Sequence, residues 1–177
     1  MTAARHRFAL GLGANLGDTA ATLIDAVTRL AGADGVRLTG VSSPYRTAPV
    51  GGVEQDDFLN AVVVGRTTLT PRALLALCQS IEAAHHRTRE TRWGPRTLDI
   101  DVLSYDGSVS EEPDLTLPHP RAHERAFVLV PWLEVDAAAH LPGRGRVADL
   151  LAAVGSGGVQ RVSVEGWPGP TIGGDGG

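Results

Sequence analysis

The stretch RTLDIDVL, residues 96–103, decides the architecture around which the rest of this chain is arranged. Aliphatic residues at positions 98, 100 and 102 alternate with Thr97, Asp99 and Asp101. A period of two is typical of a β-strand with one buried face, so a strand is predicted over 97–105. Both carboxylates then lie on its other face, about 7 Å apart along the strand.

Outward from this strand, apolar periodicity predicts further strands over 8–12, 36–41 and 58–64, and helices that begin at Asp18 and at Thr70-Pro71. The order strand, helix, strand, strand, helix, strand is that of a ferredoxin-like βαββαβ core. Such a core is an α+β fold with helices on one face of an antiparallel sheet. Residues 42–57 contain prolines and a glycine pair, which predict a long irregular connection.

The C-terminal part, from Pro113 onward, is predicted to extend this core. Helices are expected over 123–133 and 147–154, and a last strand over 159–164. A chain of 177 residues fits one domain, assigned to residues 1–165. Residues 166–177 are rich in glycine and proline and predict a disordered tail.

The two aspartates are the first candidates for chemistry, because neighbouring carboxylates repel unless a cation lies between them. Magnesium binds one or two carboxylates together with substrate phosphates and water, so Asp99 and Asp101 are candidate magnesium ligands. The alternative is a half-exposed strand whose aspartates only face water. Arg96, just before the strand, favours the metal interpretation because a guanidinium group can bind the remaining phosphate oxygens.

The segment just before the strand, residues 85–95, is predicted to be irregular and strongly basic. Arg87, Arg89 and Arg92 repel one another with only Glu90 nearby. Charged loops are usually solvated surface, but this one is expected to become ordered around an anion. That behaviour is typical of a lid that closes over a site and excludes water.

The basic residues restrict how phosphate can be bound. All sixteen are arginine, and lysine is absent. Sites built on lysine, such as the P-loop and the protein-kinase strand lysine, are therefore excluded. Phosphate must be bound by arginine, backbone N–H groups or a metal ion.

The overall composition, 42% apolar and 20% charged, is that of a soluble globular protein. A net charge of −4 disfavours general attraction to nucleic acid or membrane. Residues 1–12 contain no long apolar run, so neither a secretion signal nor a membrane span is expected. The expectation is a cytoplasmic monomer without nucleic-acid or membrane partners. The single cysteine, Cys78, is assigned to the core.

Two further patterns have competing interpretations. The glycine-rich stretch 11–17 resembles a dinucleotide-binding fingerprint, but its second gap is too long, and a strand-to-helix turn that a ligand can approach is favoured. His119 and His123 have the spacing of helical zinc ligands, but prolines flank His119. Phosphate or nucleotide contacts from His119, Arg121 and Arg125 are therefore favoured over zinc.

Several motifs together resemble the 6-hydroxymethyl-7,8-dihydropterin pyrophosphokinase family. They are RWGPRTLDID at 92–101, LPHPR at 117–121, ERAF at 124–127, GANLG at 13–17, YRT at 45–47 and FLNA at 58–61. The resemblance covers residues 8–165, with the motifs in the family's order. It departs at His85-His86, where many members carry Leu-Gly, and at His123, which replaces a lysine found in some.

The resemblance implies a ferredoxin-like fold and transfer of pyrophosphate from ATP to a pterin hydroxymethyl group, with AMP leaving. Asp99 and Asp101 would hold two magnesium ions, and Arg87 and Arg96 would stabilise charge on the transferring phosphates. Arg89 and Arg92 would belong to the lid.

The same matching implies the substrate contacts. ATP would contact Gln79, Glu82, Arg87, Arg89, Arg92, Trp93, Arg96, Thr116, His119, His123 and Arg125. The pterin would contact Gly13, Thr47, Ala48, Val50, Phe58, Asn60, Trp93, Asp99 and Phe127, and would stack between the two phenylalanine rings.

From the residues alone, Phe58 and Phe127 would be assigned to the core, and only the resemblance moves them to a site. Two other functions stay open at this level. One is a metal-dependent phosphohydrolase that uses the same aspartates. The other is a non-catalytic ferredoxin-like module that binds RNA, which the acidic balance disfavours.

Overall fold

The computed structural model describes residues 5–48, 57–86 and 97–168. Its strands are β1 His6–Ala14, β2 Val36–Val41, β3 Tyr45–Thr47, β4 Phe58–Thr67, β5 Asp99–Tyr105, β6 Ser110–Glu112, β7 Leu115–Leu117, β8 His140–Leu141, β9 Gly145–Arg146 and β10 Val159–Arg161. Its helices are α1 Thr19–Ala31, α2 Pro71–His86, α3 Ala126–Val135 and α4 Val147–Val154, and a 3₁₀ turn spans Ala122–Glu124.

The main sheet confirms the predicted ferredoxin-like core. Four strands pair in the order β5, β1, β4, β2, and each of these pairings is antiparallel. The long strand β4 pairs with β2 over its second half and with β3 over its first three residues, and β10 is added beside β3. The central position of β1 places it between β4 and β5, which together carry most of the candidate site.

The two core helices begin where the sequence predicts. The Asp18 carboxylate accepts a hydrogen bond from the Ala21 N–H at 3.0 Å and caps α1. The Thr70 hydroxyl oxygen accepts one from the Ala73 N–H at 3.1 Å at the start of α2. Both helices pack on one face of the sheet in a core that includes Cys78, as predicted.

The opposite face of the sheet is covered in part by the C-terminal helices. Trp132 and Leu129 of α3 pack on Val62, Val64 and Leu103 of the sheet. Apolar residues of α4 join the same cluster. The predicted arrangement with helices on one face is therefore incomplete, because α3 and α4 cover part of the second face.

Several boundaries differ from the sequence expectations. The stretch predicted as irregular over 42–57 contains β3, whose three residues are too short to show a period. The strands of the hairpins β6–β7 and β8–β9 are also too short for apolar periodicity to predict them. Trp167 falls in the predicted tail, and its indole N–H donates to the Ser42 carbonyl at 2.9 Å. Residues 169–177 lie outside the described part.

No helix within the described ranges is long and apolar enough to cross a membrane.

Gly65 of β4 is the tightest backbone position in the sheet that a substitution can test. A Cβ there would lie 2.3 Å from the Arg37 carbonyl oxygen and 2.8 Å from the Phe8 ring. We expect Gly65→Ala to lower the free energy of unfolding by about 1–3 kcal/mol, measured by urea denaturation. Gly107→Ala is the control, because nothing lies within 4 Å of a Cβ there. Equal urea midpoints for the two variants would contradict this packing.

Candidate active site

A cavity of about 750 Å³ opens on the sheet face that α3 and α4 partly cover. It lies at the end of the sheet where β1 finishes and where β4 and β5 begin. Predicted site residues that line it are Gly13, Thr47, Ala48, Phe58, Asn60, Asp99, Asp101, Arg125 and Phe127. Residues that are far apart in the sequence are therefore brought to one concave surface.

Glycines of the central strand form the floor of this cavity. Gly11 pairs with Asp101 and Gly13 pairs with Asp99 across the β1–β5 ladder. On the other side of β1, Gly13 pairs with Asn60. Since residues directly opposite one another share a face, the two carboxylates and the Asn60 amide flank a strip that has no side chains.

The orientation of the Asn60 amide is set by its neighbours. Its Nδ2 donates to the Thr47 hydroxyl oxygen at 2.7 Å, and both residues are buried. Its Oδ1 lies over Gly13, because a Cβ built on that glycine would come within 2.9 Å of this oxygen. The cavity wall therefore presents a carbonyl acceptor beside Gly13, and a larger residue at position 13 would displace it.

The aspartates lie beside a histidine from the loop after β7. The His119 Nε2 is 3.8 Å from Asp101 Oδ2, and the Asp101 side chain is 49% exposed. Burial lowers the pKa of His119; the charge of Asp101 opposes this shift, and Arg125 and Arg121 reinforce it. The imidazole is therefore neutral near pH 7 and adds no positive charge to the carboxylate pair.

The strand that carries the aspartates is held from α2. The Glu82 carboxylate accepts a hydrogen bond at 3.0 Å from the N–H of Ile100, which lies between the two aspartates. Nearby, burial raises the pKa of the Cys78 thiol to about 12, with Glu82 and Asp101 adding to the effect. Cys78 is thus a protonated core residue at neutral pH, as its sequence context predicts.

The donor set suits magnesium better than a metal held by protein ligands alone. The described residues contain no group of three or more His, Cys, Asp and Glu side chains that could hold a metal. This finding gives no support to the zinc alternative at His119 and His123. An open pair of carboxylates fits magnesium, which takes its other ligands from water and substrate phosphates.

The two phenylalanines lie on the walls of the cavity. Phe58 is the first residue of β4 and Phe127 is the second residue of α3, and both are half-buried. The Arg125 guanidinium carbon is 5.6 Å from the centroid of the Phe127 ring. Phe127 also packs against the core cluster around Trp132, so the core assignment made from residue patterns was partly justified.

Other predicted residues do not line the cavity. Gln79 is exposed on α2, Glu82 holds β5 as described, and the Thr116 hydroxyl donates to the Glu112 carbonyl at 3.1 Å. His123 lies in the 3₁₀ turn and His119 reaches the site through Asp101. Six predicted residues lie outside the described residues: Val50, Arg87, Arg89, Arg92, Trp93 and Arg96.

The cavity also has lining residues that the sequence did not assign to a substrate. Gly11 has the same role in the floor as Gly13, and the period of two from Gly13 could have indicated it. Arg121, which the sequence favoured for a phosphate or nucleotide contact, also lines the cavity, and its Nε lies 3.3 Å from the Glu124 carboxylate. Val154 and Gly155, at the end of α4, carry no motif that could have revealed them.

A partly buried carboxylate connects α3 to the segment that leads into β3. Glu134 of α3 accepts hydrogen bonds from the N–H and the hydroxyl of Ser43, both at 2.6 Å. Its carboxylate also lies 3.9 Å from the Arg161 guanidinium on β10. Ser43 leads directly into β3, which ends at Thr47, so this contact fixes α3 relative to the wall that orients Asn60.

We expect Glu134→Gln to destabilise the protein by about 1–3 kcal/mol, because a neutral amide replaces the carboxylate that accepts two charge-assisted hydrogen bonds from Ser43. The measurement is the urea midpoint. Glu111→Gln, an exposed position on β6, is the matched control. A Glu134→Gln midpoint equal to that of the control would show that the Ser43 contacts contribute nothing.

Comparison with known proteins gives a consistent result. The model of the family described as 7,8-dihydro-6-hydroxymethylpterin-pyrophosphokinase matches residues 9–137. A protein of Methylorubrum extorquens named 2-amino-4-hydroxy-6-hydroxymethyldihydropteridine pyrophosphokinase is 50% identical over 153 residues, which cover 86% of this chain and 96% of that protein. The Bacillus subtilis protein of the same name is 47% identical over 126 residues, covering 71% and 75%.

Solved structures support the fold. The structure described as Plasmodium falciparum HPPK-DHPS wild type with pterin and p-hydroxybenzoate has a TM-score of 0.65 at 15% identity. The match covers 85% of this chain and 43% of that one. At this identity the similarity shows the fold alone.

Proposed function

The chain belongs to the 7,8-dihydro-6-hydroxymethylpterin-pyrophosphokinase family, and we propose that the cavity floored by Gly11 and Gly13 is its active site. The chain is an enzyme of folate biosynthesis that transfers pyrophosphate from ATP to the hydroxymethyl group of 6-hydroxymethyl-7,8-dihydropterin and releases AMP. The observation that carries the site assignment is the register of β1, which sets Asp99 and Asp101 beside Asn60 across bare backbone.

The reaction requires two ligands to meet in one place. The hydroxymethyl oxygen forms a bond to the β-phosphorus of ATP while the bond from that phosphorus to the α–β bridging oxygen breaks, and AMP leaves with the bridging oxygen. The hydroxyl proton is lost. Holding both reactants in line supplies much of the rate enhancement, and a cavity of about 750 Å³ is large enough for such positioning.

We assign the polyphosphate side of the cavity to Asp99 and Asp101. Magnesium bound there, for which we propose two ions, would neutralise charge on the phosphate oxygens and on the attacking and leaving oxygens. The aspartates orient this centre, and the Glu82 contact to Ile100 keeps their strand in place. Arg121 and Arg125 line the same cavity and are suited to bind phosphate oxygens.

We assign the pterin side to Asn60, Phe58 and Phe127. The Asn60 Oδ1 accepts a hydrogen bond from an N–H group at the polar edge of the heterocycle, since the Asn60 Nδ2 already donates to Thr47. The half-buried rings of Phe58 and Phe127 provide apolar surface for the flat ring system. Fixed polar groups then select the ligand that the aromatic surface holds.

The remaining assignments rest on the family resemblance. Arg87 and Arg96 are proposed to stabilise the transferring phosphates, with Arg89 and Arg92 in the lid and Trp93 and Val50 near the substrates. ATP contacts from Gln79, Glu82, Thr116, His119 and His123 also stay predictions. We further infer a cytoplasmic monomer, which size-exclusion chromatography with light scattering tests.

Product analysis tests the proposed function directly. With ATP, magnesium and the hydroxymethyl dihydropterin as reactants, we expect equal amounts of AMP and a pterin diphosphate. The products are measured by ³¹P NMR. A metal-dependent phosphohydrolase would instead release phosphate or pyrophosphate whether or not the pterin is present. ADP as the nucleotide product would also overturn the proposal.

The metal assignment predicts that replacing either aspartate lowers the catalytic rate. We expect Asp99→Asn and Asp101→Asn each to lower kcat by roughly a hundredfold or more, because a metal contributes several kcal/mol of transition-state stabilisation. Mn²⁺ binding in the presence of α,β-methylene-ATP, measured by electron paramagnetic resonance, should weaken in parallel. Asp34→Asn, exposed between α1 and β2, is the control. Unchanged Mn²⁺ affinity would remove these residues from the metal site.

The pterin assignment predicts a contrast between the two floor glycines. Gly13→Ala should weaken dihydropterin binding about tenfold, because its Cβ would displace the Asn60 oxygen. Gly11→Ala should change that affinity much less, because the nearest atom to its Cβ is a Leu103 methyl at 3.4 Å. Fluorescence titration of the pterin measures both. Equal effects would show that the Asn60 orientation does not matter.

A further inference from the structure

A row of three arginines crosses the sheet at the end away from the active site. Arg7 of β1 pairs directly with Arg66 of β4, and Arg66 pairs directly with Arg37 of β2. All three residues are exposed. Opposite residues in antiparallel strands project from the same face, so the three side chains leave the sheet side by side over about 10 Å. Arg7 lies four residues before Gly11, about 13 Å along β1.

Two of the three arginines in this row form no ion pair within the part of the chain that the structure describes. Within residues 5–48, 57–86 and 97–168, neither Arg37 nor Arg66 has a carboxylate oxygen within 4.0 Å. Arg66 is the central member and has an arginine on each side. Like charges directly opposite one another destabilise a sheet. The row is also unexpected from the overall charge of the chain, which is −4. An anion bound across the row would relieve that repulsion.

A second cavity, of about 580 Å³, lies against the row on the same face of the sheet. Arg7 and Arg66 line it together with Ser104 and His140, which offer further hydrogen-bond donors. The end of α3, with Trp132, forms part of its wall.

Two carboxylates also line this cavity, and both already accept hydrogen bonds. Asp106 accepts from the Arg7 backbone N–H at 2.8 Å, and its other oxygen lies 2.6 Å from the His6 Nδ1. Asp136 accepts from the Ala138 N–H at 3.1 Å. Asp106 lies close enough to Arg7 for the two charges to interact, whereas Arg66 and Arg37 form no ion pair with either carboxylate.

We propose that this arginine row and the adjoining cavity form a second binding site for a small polyphosphate anion. A guanidinium group binds phosphate oxygens through its planar fork, and three of them in line suit a ligand with several phosphate groups. The ligand is either a free inorganic polyphosphate or the polyphosphate chain of a nucleotide. The site is separate from the Asp99 and Asp101 pair and requires no metal.

The first test concerns the repulsion itself. Arg66→Gln removes the charge that both neighbours face, so we expect its thermal midpoint to exceed that of the wild type at low ionic strength and to converge on it in high salt. Arg29→Gln is the matched control, because Arg29 lies on α1 and bridges Asp25 at 2.7 Å. A midpoint for Arg66→Gln at or below that of the wild type in low salt would show that the row is not under electrostatic strain, and the proposal would fall.

The second test measures binding at the residues themselves. The probe is inorganic tripolyphosphate at constant ionic strength with EDTA, which removes any metal from the aspartate pair. The Arg121 and Arg125 signals report separately on binding in the active-site cavity. The Arg7→Gln, Arg37→Gln and Arg66→Gln variants each remove one arginine Nε–Hε NMR signal and so assign it. We expect these three signals to shift saturably when tripolyphosphate is added to the wild type. The dissociation constant from the remaining signals should rise about tenfold or more in Arg66→Gln and stay unchanged in Arg29→Gln.

The outcomes of the binding test separate the sources of the ligand and decide the proposal. Saturable shifts with tripolyphosphate and not with α,β-methylene-ATP would identify a free polyphosphate, and shifts with both would include nucleotides. Shifts that grow linearly without saturation, or equal dissociation constants in Arg66→Gln and Arg29→Gln, would overturn the site. The dispersed spectrum of each variant shows that it is folded.

Discussion

The antiparallel register of β1 between β4 and β5 is the constraint on which the site depends. It sets Gly13 opposite Asn60 on one side and opposite Asp99 on the other. A slip of one residue would turn Asp99 and Asp101 into the apolar layer beneath α1 and α2. The same register that buries Ile100 therefore presents both carboxylates to the cavity. Fold and chemistry are specified by one set of hydrogen bonds.

Bare backbone in the middle of the sheet is the second requirement. Strands usually lose stability at glycine, because the residue has no side chain to pack. Here Gly11 and Gly13 leave space between the groups that we assign to the phosphates and those that we assign to the pterin. The neighbouring Thr47 and Glu134 contacts then hold the walls around that space. A weak position in the strand thus becomes useful when its surroundings are rigid.

Much of the architecture was accessible from local patterns, because strong periodicity and capping act over a few residues. The β5 alternation, the Asp18 cap and the α4 span all match their predictions closely. Elements of two or three residues, such as β3, have no period to detect and form only because β4 offers an edge. Phe58 and Phe127 illustrate the same limit in the site, since an aromatic side chain in an apolar context suits a core and a cavity wall equally.

The sequence by itself determined that β5 has an acidic face, that phosphate must be bound without lysine, and that the chain resembles a pterin pyrophosphokinase. These properties depend on the identity and spacing of neighbouring residues. The tertiary structure decided that Asn60 points its oxygen toward Gly13, that Glu82 holds the backbone of β5, and that Arg66 lies between two other arginines. Such relations depend on strand register and helix packing, which join residues distant in the chain and leave no local pattern.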